Sequence, residues 1–100
     1  MFEARERDDM TVIVGQEELT REELVQIARV ARAARSAGRR VVIDLKRVEH
    51  LHYAGAALLK TIPDLRASGA SRYVRDLVAA GGAGAHVEHY ADVDDATQAA

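Results

Sequence analysis

A chain of 100 residues has room for one hydrophobic core, and so for one domain covering 1–100. Its residues are 48% hydrophobic and 30% charged, with 14 Lys and Arg against 16 Asp and Glu, a balance that excludes a disordered chain and gives no general case for nucleic acid or membrane as partner. The absence of cysteine excludes disulfides, thiolate metal sites and cysteine nucleophiles.

From the amino terminus, residues 2–7 alternate Phe2 and Ala4 with Glu3 and Arg5, as a half-buried strand does. Asp8 and Asp9 signal a turn, and Met10, Thr11, Val12, Ile13 and Val14 form a second strand ended by Gly15; so short a link predicts an antiparallel hairpin. Thr20, Arg21, Glu22 and Glu23 have the form of a capping box. Behind it Leu24, Ile27, Ala28, Ala31 and Ala34 share one face, predicting a helix over 20–37 with Gly38 as its stop. Val41, Val42, Ile43 and Leu45 read as a central strand, apolar on both faces and interrupted by Asp44. A second helix is expected from Tyr53–Gly55 to Ser68, with Leu58, Ile62 and Leu65 buried, a kink at Pro63 and Gly69 as terminator. Val74, Leu77 and Val78 predict a short helix over 72–80. Gly81, Gly82 and Gly84 form a loop, 86–90 a short strand, and the acidic run 92–95 opens a last helix reaching 100. The order β-β-α-β-α-α-β-α predicts an α/β layer fold with a mixed central sheet and helices packed on it.

Residues 41–45, then Val48, Leu51, and Tyr53-Ala54-Gly55 leading into a Leu-bearing helix, resemble the STAS domain. That module is shared by anti-sigma factor antagonists and the cytoplasmic tails of sulfate transporters. Residues 71–78 look like the family's third helix, and 87–90 and 92–96 like its last strand and the start of its last helix. The likeness covers nearly the whole chain, and it departs from the family in two places. The family's phospho-acceptor is the Ser or Thr before the Gly; here that position is Ala54, with Tyr53 and His52 before it. Ala has no hydroxyl, so the kinase-controlled switch cannot run there. The family also places a strand between its second and third helices, where only Gly69 and Ala70 intervene. Either 72–78 serves as that strand, or the strand is absent, or residues are missing.

The resemblance implies that a protein partner docks around the loop after the central strand. This is the usual place for a site on an α/β sheet, with Tyr53 as an aromatic anchor. The candidate contact residues are His50, His52, Tyr53, Ala54, Gly55, Ala56 and Lys60. The pairs His50/His52 and His86/His89 share a face only in an extended segment and a helix respectively, and nothing in the order of residues brings both pairs together, so no metal is expected. Arg29, Arg32, Arg35, Arg39, Arg40, Lys46 and Arg47 form a local positive excess that reads as a solvated face or as a phosphate surface. No catalytic residue is expected: phosphate-loop and dinucleotide glycine patterns are absent, and no Ser-His-Asp grouping stands out. No cofactor is implied. No apolar run approaches the ~20 residues of a membrane span, and the first residues lack an apolar signal core, so a cytoplasmic location is expected. What the resemblance implies is a non-catalytic, anti-sigma factor antagonist-like regulator, its partner a kinase-like anti-sigma factor. The alternatives are the small STAS subunit of a lipid-transport ABC system, docked on its ATPase, and a phosphate- or nucleotide-binding module.

Overall fold

The computed structural model describes residues 1–99. Phe2–Arg7 (β1) and Met10–Leu19 (β2) pair antiparallel as expected, turning at Asp8 with a left-handed φ of 54°. Gly15 does not end β2. The strand passes it on a bulge, and the register with its other neighbour slips between Val14 and Gln16 and again between Glu17 and Glu18. A Cβ at Gly15 would meet a methyl of Val48 at 2.8 Å, so the close approach of β3 is what requires glycine.

Arg21–Ser36 (α1) begins at the capping box: Thr20 Oγ1 accepts from the Glu23 amide at 3.2 Å, and Glu23 Oε1 accepts from the Thr20 amide at 3.3 Å. It ends at Ala37, with Gly38 following at φ 80°. Arg40–Leu51 (β3) then runs parallel to β2 and reaches well beyond the expected Leu45, since Val48 and Leu51 are buried like the residues before them.

The second helix is much shorter than its apolar spacing suggests. Tyr53–Ala56 (α2) passes into a 3-10 segment, Ala57–Thr61, which stops before Pro63. Ile62 is extended (φ −101°, ψ 110°), the conformation that a following proline imposes, so Pro63 ends the helix where a kink was expected. Beyond it, Arg66–Ser68 forms a strand, β4, parallel to β3. This corrects all three readings of the gap before the third helix: the strand is present, it precedes residues 72–78, and it takes up the last residues of the expected second helix. Gly69 therefore follows a strand.

Arg72–Ala80 (α3), Glu88–Tyr90 (β5) and Val93–Gln98 (α4) agree with the sequence reading apart from their bounds; Ala100 lies outside the described residues. The sheet is mixed, in the order β1-β2-β3-β4-β5, with β1 antiparallel to the rest. Alternation divides β3 between two layers. Val41, Ile43 and Leu45 join Leu24, Ile27 and Ala31 of α1 and Val74 and Val78 of α3 in the main core. Val42 faces the opposite side, beside Met10 of β2, where Ala96 of α4 packs on it. Helices thus lie on both faces, and the long parallel ladder of β2 and β3 carries the chain out to Leu19 and Leu51, beside the start of α2.

Candidate functional site

The carboxyl ends of β2 and β3 are tied together where the candidate loop begins, by the His52 amide donating to the Leu19 carbonyl at 3.0 Å. His52 is the N-cap of α2, its Nδ1 accepting from the Gly55 amide at 3.1 Å. A neutral imidazole with its proton on Nε2 makes this bond; a ring protonated on both nitrogens cannot. The same ring stacks on Tyr53, with centroids 6.1 Å apart and planes 13° apart.

His50 points along a separate path. Its Nδ1 lies 2.8 Å from the hydroxyl of Tyr73, in the first turn of α3, and the two rings are tilted at 30°. Tyr53 and Tyr73 are 57% and 52% exposed, and apart from Met1 they are the large hydrophobic side chains left in solvent among the described residues. Each therefore presents a ring to water with a histidine ring beside it.

The seven candidate residues divide by burial. His50, His52, Tyr53, Ala54 and Lys60 are exposed. Gly55 and Ala56 are buried and support the turn from beneath: a Cβ at Gly55 would sit 2.8 Å from Leu24 Cδ1, and Ala56 is wholly buried. Gly81, at the end of α3, packs under the same turn, where a Cβ would fall 2.2 Å from the Tyr53 carbonyl oxygen. Tyr73 was not singled out by the sequence reading. A signal was there: with Val74, Leu77 and Val78 taken as the buried face of its helix, an aromatic residue at 73 falls off that face.

The second histidine pair lies elsewhere and not on a helix. His86 is in the loop before β5, its Nε2 2.6 Å from the Ile62 carbonyl oxygen, and His89 is in β5 itself. Burial, with Arg75 adding to it, pushes the His89 imidazole below its ordinary range. No group of three His, Asp or Glu side chains suited to a metal occurs among the described residues.

The positive excess is partly consumed by the fold. Arg39 donates to Thr11 Oγ1 at 3.0 Å and to the Met10 carbonyl, and Arg40 pairs with Asp9 at 3.2 Å, so both fasten the start of β3 to β2. Arg32 and Arg35 reach instead toward the 3-10 segment and the turn after it.

No protein-family model and no curated sequence matches the chain. Solved structures do. The unphosphorylated anti-sigma factor antagonist SpoIIAA superposes with a TM-score of 0.74 at 18% identity, over 97% of this chain and 93% of that one. A candidate anti-sigma factor antagonist from Thermotoga maritima gives 0.76 at 14%, covering 97% and 92%. A DUF3478 protein with a SpoIIAA-like fold from Shewanella loihica gives 0.56 at 17%, covering 97% and 89%. Identities this low speak for the backbone and not for its side chains. The mixed five-stranded sheet with helices on both faces is the SpoIIAA-like arrangement, and in fold the chain is a STAS-like α/β domain.

Proposed function

We propose that the domain is a non-catalytic regulator that binds a protein partner in the manner of an anti-sigma factor antagonist. The contact surface is the exposed aromatic face at the carboxyl end of β3. The observation that carries this reading is the exposure of Tyr53 and Tyr73, each against a histidine ring, on a fold shared with anti-sigma factor antagonists. A tyrosine left half in water buries large area on docking for little rotamer entropy, which is why such side chains anchor interfaces. His50, His52, Ala54 and Lys60 surround the anchors, while Gly55 and Ala56 hold the turn in shape. With Ala54 before Gly55, no hydroxyl stands at the family's phospho-acceptor position, so binding is independent of phosphorylation there. The partner on this reading is a kinase-like anti-sigma factor met in the cytoplasm.

A photo-reactive phenylalanine analogue at position 53, with position 29 as control, tests this in cells of the native host. A kinase-like anti-sigma factor crosslinked from 53 and not from 29 is the expected result. A transporter ATPase captured from 53 would select the lipid-transport alternative on the same surface. Equal adducts from both positions, or none from 53, would overturn the proposed surface.

A further inference from the structure

The last turns of α1 and the end of the 3-10 segment flank an open groove of about 280 Å³ lined by Arg32, Arg35, Ser36, Thr61 and Pro63. It shares no residue with the aromatic surface. Arg32 Nη1 donates to Thr61 Oγ1 at 2.7 Å, and the Thr61 hydroxyl donates onward to the Leu58 carbonyl at 2.6 Å. Arg35 Nη1 donates to the Arg39 carbonyl at 3.3 Å and Nη2 to Asp64 at 3.0 Å. The two partners of that ion pair differ in setting: the Arg35 side chain is 25% exposed, that of Asp64 84%. The fold therefore fixes the guanidinium, while its counter-ion sits in water on a turn with φ 52° and is displaceable.

Charge around the groove is one-sided. From residue 24 to residue 37 the chain carries Arg29, Arg32 and Arg35 and no carboxylate. The C-terminal end of α1 contributes roughly half a negative charge, which opposes an anion, but the groove's two guanidiniums, Arg32 and Arg35, against one displaceable carboxylate outweigh it. We propose that this groove binds a phosphate group. Its oxygens replace the Asp64 carboxylate on Arg35 and accept from Arg32, and the Ser36 hydroxyl is placed at the rim to donate a further bond. Planar guanidinium forks match phosphate oxygens in pairs, which a surface of lysines would not. A soluble phosphate compound and a phospholipid headgroup present the same chemistry here.

The test is NMR titration of the intact chain with tripolyphosphate at constant ionic strength, following arginine Nε–Hε and backbone amide signals, with vesicle co-sedimentation using phosphatidic acid in phosphatidylcholine. Saturable shifts confined to Arg32, Arg35, Ser36 and residues 61–64 are expected. Arg32→Gln should weaken binding about tenfold, as the loss of a charged hydrogen bond implies. Asp64→Asn should tighten it about two- to fivefold, because the competing carboxylate is gone. Arg35 is left intact because its bond to the Arg39 carbonyl secures the end of α1. Vesicle binding lost in parallel in Arg32→Gln would support the site and assign a lipid headgroup; tripolyphosphate binding without vesicle binding would support it and assign a soluble compound. Shifts spread evenly over all arginines, no saturation, or an Asp64→Asn variant that binds no better would overturn it.

Discussion

His52 Nδ1 caps the Gly55 amide at 3.1 Å while the same imidazole stacks on Tyr53, so one side chain both starts α2 and fixes the neighbouring ring. The orphan amide of a helix start and the orientation of an exposed tyrosine then depend on a single residue. His52→Ala should destabilise the fold by about 1 kcal/mol, the usual cost of a lost N-cap, and His52→Asn should restore most of it because an amide oxygen caps equally well. Urea unfolding of both variants checks this. Equal losses for Asn and Ala would mean that ring stacking, and not the cap, is what His52 contributes.

Tyr53 and Tyr73 should be separable by binding measurements once a partner is in hand. Tyr53→Ala is expected to weaken binding by ~2 kcal/mol or more if the ring is an anchor. Tyr73→Phe keeps the ring and loses only the hydroxyl bonded to His50, so its effect should be smaller, about 1 kcal/mol or less. Both variants should unfold close to the wild type, because both rings are already exposed. Unchanged affinity in Tyr53→Ala with intact folding would move the contact surface elsewhere.

Where side-chain chemistry is local, the residues announce the structure. Thr20 and Glu23 name their helix start because each satisfies the other's backbone, and Asp8 and Asp9 mark a hairpin because little else suits a two-residue link. The segment 57–68 misleads for a physical reason. Leu58, Ile62 and Leu65 are spaced as one face of a helix, yet Leu65 is buried as the lead into a three-residue strand whose existence depends on Ile43 lying beside Ala67. A strand that short has no period of its own to read. Pro63 was the available clue, and its steric effect on Ile62 outweighed the apolar spacing. Of the candidate surface, the exposed residues His52 and Tyr53 were legible from the helix start. Tyr73 meets the candidate residues through a tertiary contact with His50, which sequence order does not display.

Gly81 offers a test of how α3 supports the aromatic turn. An added Cβ would lie 2.2 Å from the Tyr53 carbonyl oxygen and 2.7 Å from Ala56 Cβ, closer than packed atoms approach, and the oxygen belongs to backbone that cannot step aside cheaply. Gly81→Ala should therefore cost about 1–3 kcal/mol through overpacking and shift amide resonances of residues 52–57. A variant as stable as the wild type, with those resonances unmoved, would show that α3 does not press against the turn at Gly81.

His89 predicts a dependence of stability on pH. Its Nδ1 is buried without a hydrogen-bond partner, and burial first, then the charge of Arg75, pushes its pKa below the ordinary value of 6.5. The folded state therefore takes up this proton less readily than the unfolded chain does. Stability attached to the group is fully present above pH 6.5 and is lost as pH falls through that value toward the lower folded pKa, because protons then favour the unfolded state. Thermal unfolding at pH 8, 7, 6 and 5 should show a melting temperature that declines below about pH 6.5, and in His89→Gln that decline should be shallower. The substitution removes the titrating ring while keeping a polar side chain in β5, so any loss of stability common to all four pH values is packing, and only the change in slope reports the proton. Parallel profiles for the two proteins would assign the acid sensitivity to another group.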